Sequence, residues 1–194
     1  MSLFGHKKLT RDFVLEGTLI NLRAPGRGDY SSWFEVRHAS RHSLQRREPL
    51  WSEDQLSKKK FRRYVRDYRL ASRYGLGLGL FIWDKDFTTL MGACNLTHIR
   101  RGPSQSAELG YWLGEAYQGN GFAREAVKLL CSHAFSYLEL HRVEAACMAD
   151  NTASQRVLES NGFRREGYSD KYLKINGSWT DHIRFALMKE DIAQ

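Results

Sequence analysis

The chain has 194 residues, with 30 Lys+Arg against 22 Asp+Glu, a formal charge of +8, 42% hydrophobic and 12% aromatic residues, and 3 Pro. That length can bury a sizeable core as one domain over 1–194, and the composition excludes a disordered or collagenous chain. No window approaches ~18 unbroken apolar residues and the Met1–Lys8 opening lacks the apolar stretch of a secretory signal, so a soluble, cytoplasmic protein with no membrane partner is expected.

Residues 12–23 alternate well enough for one strand, ended by Ala24-Pro25-Gly26, and Asp29 is placed to cap a short helix to about Arg41. Ser52 and Gln55 have capping-box spacing ahead of a long helix that runs without Pro or Gly to Gly75, a residue suited to the C′ stop. Its apolar face is Phe61, Tyr64/Val65, Tyr68 and Ala71, while Lys59, Arg62, Arg66, Arg69 and Arg73 form a separate basic stripe. From Arg41 to Tyr74 there are eleven basic and four acidic residues, so nearly the whole charge imbalance sits there. Such a stripe is either a solvated helix face or an electrostatic footprint for a polyanion such as RNA. The scarcity of acids beside it, Asp67 apart, adds weight to the second reading.

Leu76–Trp83 and Leu90–His98 are apolar and β-prone across the Asp84-Lys85-Asp86 turn, which predicts a hairpin. After Gly102-Pro103-Ser104 a third strand covers Ala107–Leu113. Phe122–Leu138 is spaced as a helix, Val143–Ala149 as a short strand, and Thr152–Asn161 as a short helix closed by Gly162. Phe163–Ile175 and Ser178–Met188 flank Asn176-Gly177, the strongest short hairpin signal. This order predicts an α/β domain on one mixed sheet, with a parallel crossover from Glu108–Leu113 through the Phe122 helix to Val143–Ala149. Ligands of such sheets bind at the carboxyl ends of the strands, which points at the Gly114–Gly121 loop. Cys94, Cys131 and Cys147 show neither CxxC nor metal spacing and read as buried thiols, so no metal is expected.

That loop reads Gln118-Gly119-Asn120-Gly121-Phe122-Ala123, directly after a strand and opening a helix. Two glycines let the backbone turn tightly and aim several N–H groups one way, with the positive end of the helix dipole behind them, an arrangement that suits a pyrophosphate. A plain strand-to-helix turn would also explain the pattern. It is neither a Walker A loop, which needs GK[ST], nor the dinucleotide fingerprint, which needs a third glycine.

Gln118-x-x-Gly121-x-Ala123 resembles the Q/R-x-x-G-x-G/A signature of the GNAT superfamily of N-acetyltransferases. Asn151-x-x-Ser154, then Asn161-Gly162-Phe163-x-x-Glu166-Gly167-Tyr168, agree in order and spacing. With Leu109-Gly110-Tyr111-Trp112-Leu113 and the tail Tyr172-Leu173-x-Ile175-Asn176-Gly177-x-Trp179-x-Asp181-His182, the chain is similar to the ribosomal-protein-alanine acetyltransferases of the RimJ type over about residues 12–190. The resemblance implies a GNAT fold: a mixed, mostly antiparallel sheet of about seven strands, helices on both faces, and a splayed central strand pair holding acetyl-CoA. It implies acetyl transfer from acetyl-CoA to the N-terminal α-amine, alanine by analogy, of a ribosomal protein. The cradle would be Gln118, Gly119, Asn120, Gly121, Phe122 and Ala123, with Tyr111, Trp112 and Leu113 along the donor and a backbone N–H near Leu113 polarising the thioester.

Two carboxylates compete for the incoming amine. Glu166 matches the position where related N-terminal acetyltransferases place a catalytic Glu, while Glu108 starts the central strand and alternates with Gly110 and Trp112 towards one face. The alternative for each is a charged strand end facing water. Many members carry a Tyr five residues before the Gly of the Gly-Phe pair; here that slot is Val157, which leaves Ser154 or solvent to protonate the thiolate. Ser154 could instead hydrogen-bond the donor or its own helix, and Asn151 could bind pantetheine amides or simply cap. On the acceptor side stand Trp51, Trp179, Asp181 and, as a secondary candidate, His182. The rival functions are acetylation of a polyamine or other small amine, and an RNA-docking ribosome-assembly role for a retained fold. The sequence leaves the oligomeric state open.

Overall fold

A computed structural model describes residues 13–192, so the Met1–Lys8 segment read for a signal lies outside the described residues. Strands β1 (Val14–Glu16), β2 (Asn21–Arg23), β3 (Leu78–Trp83), β4 (Leu90–Arg100), β5 (Ser106–Leu113), β6 (Arg142–Met148), β7 (Arg164–Ile175) and β8 (Ser178–Met188) make one sheet in the order β1-β2-β3-β4-β5-β6-β8-β7. Only β5 and β6 run parallel, joined through helix α4 (Phe122–Ser136), as the crossover reading requires. Eight strands replace the expected seven because residues 12–23 are not one strand. β1 and β2 fold back on each other, Val14 opposite Arg23. The turn needs Gly17, where a Cβ would lie 2.8 Å from the Ile20 carbonyl oxygen.

Helices cover both faces. On one, α4 and α5 (Thr152–Glu159) pack Ala126, Val127, Leu130, Phe135 and Leu158 against Leu80, Leu96, Leu109, Val143 and Phe185. On the other, α1 (Tyr30–Ala39) and α3 (Lys58–Arg73) pack Trp33, Val36, Phe61 and Val65 against Phe81, Trp83, Leu90 and Ala93. Phe61 is fully buried in this second core, so its truncation to Ala would cost about 3–5 kcal/mol. A short α2 (Arg41–Gln45) follows α1, and α6 (Lys189–Ile192) follows β8.

Two caps differ from the reading above. Ser57, not Ser52, caps α3, its Oγ accepting from Lys60 N at 3.2 Å, while Ser52 instead donates to Asp54. Asp29 stands at the N-cap position of α1, but its side chain makes no capping bond there. Its carboxylate accepts the Gly26 N–H and two bonds from Arg23, and is thereby buried as an ion pair. The end of α3 does follow the sequence. Gly75 sits at φ +67°, and Leu76 N and Gly75 N reach back to Ala71 O and Ser72 O, the paired bonds of a Schellman motif.

Candidate active site

The sheet itself makes the opening. β5 and β6 pair from Ser106↔Arg142 to Leu109↔Ala145 and no further, although β4 stays paired with β5 to Leu113 and β8 with β6 to Met148. Gly110–Leu113 and Ala146–Met148 therefore flank a gap at the carboxyl ends of the parallel pair, the placement expected for a ligand of an open α/β sheet. Gly114 N bonds Met91 O on β4, so by strand alternation the N–H of Leu113 points the other way, into the gap.

The loop leading from β5 into α4 ends at the gap. Gly119 and Gly121 hold φ of +80° and +81°, a region open to glycine and costly to other residues. A Cβ on Gly119 would meet nothing within 4 Å, and one on Gly121 only Leu19 at 3.8 Å. No side chain among the described residues caps α4, so its first N–H groups point outward from the positive end of a 15-residue helix. An open surface of backbone donors beside a strand gap fits the pyrophosphate and pantetheine arm of a coenzyme A thioester. The Asn120 amide donates to Gln118 O at 3.1 Å and stiffens the loop. Glu125, which the sequence reading passed over, accepts the N–H groups of Leu19 at 2.8 Å and Ile20 at 3.1 Å, as well as that of Thr18. A Glu in the first turn after the glycine loop was the available signal.

The two faces of the gap differ. Tyr111, Leu113 and Cys147 project towards α4 and α5. There the Tyr111 hydroxyl lies 2.7 Å from Ser154 Oγ and 3.2 Å from Ser154 O. Asn151 is the cap of α5, its side chain accepting from Ser154 N at 3.2 Å. Burial pushes the Tyr111 phenol up to about 12 and the Cys147 thiol up to about 11. All three cysteines are buried, free thiols, and no group of three His, Cys, Asp or Glu side chains among the described residues could hold a metal.

Glu108 and Glu144 are register partners and share the opposite face with Gly110, Trp112, Ala146 and Met148. An ion-pair ladder crosses this face below the gap. Arg100 contacts Glu108 at 2.6 Å and Glu144 at 3.3 Å, Arg142 contacts Glu144 at 2.9 Å, and Arg142 closes on Glu166. Glu166, the first of the two candidate bases, belongs to this ladder. It sits in a β7 bulge over Arg142, at the start of β6 and away from the gap. The Arg142 hydrogen bonds hold its carboxyl below the usual range, so it is a weak base spent on a surface pair. Glu108 stands one residue from where the strands part. Burial pushes its carboxyl up, but hydrogen bonds from Arg100 and His98 outweigh this and leave it below the usual range. The alternating Arg142-x-Glu144 on an otherwise apolar strand was the signal for the rest of the ladder.

The acceptor-side residues do not form one cluster. Asp181 and His182 are strand neighbours and point to opposite faces. Asp181 accepts from Tyr168 OH at 2.7 Å and Lys171 N at 2.8 Å, tying the β7 irregularity. His182, 3% exposed, lies opposite Met148 at the gap, with Nδ1 2.9 Å from Thr180 O. Trp179 is exposed near the hairpin end, opposite Lys174. Trp51 is buried and donates from Nε1 to Glu48 at 2.8 Å. Glu48 also holds Arg37, whose guanidinium lies 4.6 Å from the Trp51 ring and 4.8 Å from that of Trp112. Since Asn176 N donates to Glu48 O at 2.9 Å, this cluster fixes the β7–β8 hairpin to the helical face.

Comparison with known proteins agrees with this geometry. The model of the acetyltransferase (GNAT) domain family matches residues 20–164. The chain belongs to the GNAT acetyltransferase family. It is 41% identical to the probable N-acetyltransferase YjcK of Bacillus subtilis over 135 residues, 69% of this chain and 74% of that protein. It is 35% identical to the [ribosomal protein uS5]-alanine N-acetyltransferase of Escherichia coli over 113 residues, 58% of this chain and 57% of that one. Mycobacterium smegmatis RimJ in complex with CoA-disulfide superposes with a TM-score of 0.86 at 30% identity, covering 93% of this chain and 87% of that one. This GNAT acetyltransferase is thus an enzyme that takes acetyl-CoA as donor.

Proposed function

We propose that this GNAT acetyltransferase acetylates the α-amine at the N-terminus of a ribosomal protein, with alanine as the first residue. The observation that carries the reading is the acceptor face. Its carboxylates are already engaged by arginines, Glu108 and Glu144 by Arg100, and Glu144 and Glu166 by Arg142. Such a face offers mild charge stabilisation and little basicity. An α-amine, with a pKa near ~8, is partly neutral at pH 7 and needs no more, whereas a Lys side chain near ~10.4 does. A polyamine would call for several unpaired carboxylates. The E. coli relative, a [ribosomal protein uS5]-alanine N-acetyltransferase, supports the same acceptor class.

In this reading the Gln118–Ala123 loop and the start of α4 hold the donor's pyrophosphate, and Asn151 keeps Ser154 in place as the cap of α5. Acetyl-CoA supplies an activated acyl group and a thiolate leaving group. The Leu113 N–H polarises the acyl oxygen, so its contribution is backbone electrostatics. Glu108 orients the amine and receives its proton through a water. Ser154 Oγ, held by the Tyr111 hydroxyl, stands on the far side of the gap and relays a proton from solvent to the departing sulfur, ending as the hydroxyl it began. Trp112 and the Arg37–Glu48–Trp51 cluster shape the wall past which the acceptor enters, and His182 closes its floor.

The test is a mass spectrum of ribosomal proteins from cells with and without the gene. One ribosomal N-terminal peptide, beginning with alanine, should lose its acetyl group when the gene is removed. Unchanged ribosomal N-termini would overturn the acceptor assignment.

A further inference from the structure

A cleft of about 270 Å³ lies between α3 and the segment that follows β2, on the opposite side of the sheet from α4 and its cradle. Four arginines line it, Arg27 from one wall and Arg62, Arg66 and Arg69 from the other, above a floor of Val65 and Tyr68. All four arginines are exposed. The acids nearby are committed elsewhere. Asp29 is buried against Arg23, and Asp67 is shared by Arg63 at 3.5 Å and Arg66 at 3.0 Å. Arg27, Arg62 and Arg69 form no ion pair with any carboxylate among the described residues. A folded chain normally spends such charges on salt bridges or spreads them out; here three converge on one cleft.

We propose that this cleft binds the phosphate backbone of RNA. Guanidinium groups converging from two sides suit phosphate oxygens, which they can hold through paired N–H donors. The occupant is a polymer because the charge outruns the cleft. Arg62 to Arg73 spans twelve residues of α3, eleven rises of 1.5 Å or about 16 Å, with Lys58, Lys59 and Arg73 exposed beyond the cleft ends. A lone phosphate or a nucleotide would leave those charges unused, whereas successive phosphates of a strand engage them all. Arg27 distinguishes this site from a merely solvated helix face, because it comes from a different element and turns a stripe into a two-walled channel. The choice of RNA over other polyanions rests on the ribosomal acceptor proposed above.

The test is fluorescence anisotropy with a labelled single-stranded polyuridylate across a salt series, on the full chain and on R27A and R62E/R69E. Each phosphate neutralised on a single strand contributes about 0.7 to the slope of log affinity against log salt, so the four cleft arginines with Lys58, Lys59 and Arg73 should give a slope of about −5. R27A should make the slope shallower by about 0.7, and R62E/R69E should abolish binding. Circular dichroism of both variants should match the parent, since all the altered side chains are exposed. Turnover of a short acceptor peptide should also be unchanged, because the cradle lies across the sheet. A slope unaffected by R27A, or polyuridylate displaced by equimolar ATP, would overturn the proposal. RNA binding that survives while no ribosomal N-terminus proves to be a substrate would sink the acceptor reading and leave this site standing.

Discussion

The Tyr111 hydroxyl and Ser154 Oγ lie 2.7 Å apart, joining β5 beyond its last pair with β6 to the first turn of α5. Tyr111 comes from a strand, yet it brings a phenol to the helix where many family members carry their own tyrosine and this chain has Val157. Ser154→Ala should lower kcat about tenfold or more with the KM for acetyl-CoA nearly unchanged, because the donor is held elsewhere. Tyr111→Phe should give a smaller loss, and the double variant should be no worse than Ser154→Ala alone, since Tyr111 acts through Ser154. Steady-state kinetics on the three variants decides it. With its phenol pushed up to about 12, Tyr111 stays protonated through any ordinary assay, so Tyr111→Phe should keep the parent's pH profile.

Glu108 and Glu166 should separate cleanly. Glu108→Gln should reduce kcat/KM by about 10²-fold at pH 7, the low end for proton-transfer assistance, with the deficit shrinking as rising pH deprotonates the amine unaided. Glu166→Gln should leave turnover within about twofold and act on stability instead. Its carboxyl is held below the usual range in the folded chain, so its contribution is present above the unfolded value near ~4.3 and fades as pH falls through the folded one. Melting curves of parent and Glu166→Gln should therefore differ slightly at pH 7 and converge at acid pH. A large turnover defect in Glu166→Gln would restore it as the base.

Gly121→Ala should raise the KM for acetyl-CoA and lower stability by about 1–2 kcal/mol, the cost of a left-handed conformation for a residue with a Cβ. The space around Gly121 is open, with Leu19 at 3.8 Å, so the strain is conformational before it is steric. Calorimetry with CoA should show weaker binding; unchanged affinity would move the cradle elsewhere.

Glu48→Ala should destabilise the protein by about 3 kcal/mol, because it leaves the Arg37 charge, 6% exposed, without its carboxylate among three tryptophan rings. Thermal denaturation reads that loss. The acceptor KM should rise more than the donor KM, since the hairpin docked through Glu48 borders the acceptor face and not the cradle.

The elements with strong local signals were legible in the sequence. The period of α3, its Gly75 stop, the Asn176-Gly177 hairpin and the β5–α4–β6 crossover are all dictated by neighbours a few residues away. The glycine loop that opens α4 was legible for the same reason, as its glycines and the helix start are consecutive. What escaped depends on partners far along the chain. The turn at Gly17 is stabilised by Glu125, more than a hundred residues on, and Glu166 pairs with Arg142 on another strand. Asp181 and His182 looked like one acceptor site because they are adjacent, although adjacency on a strand sends side chains to opposite faces. Tyr111 and Ser154 were each singled out, but their meeting needed the third dimension.

The Glu125 carboxylate bridges the N–H groups of residues 18–20 and the helix whose start is the proposed cradle. One side chain thus ties this loop to the first turn of α4. By linkage, a ligand that favours the ordered first turn of α4 favours the closed loop by the same free energy, and an open loop weakens the ligand equally. Hydrogen exchange at Thr18, Leu19 and Ile20, none of which need touch the donor, then becomes a gauge of how full the enzyme is.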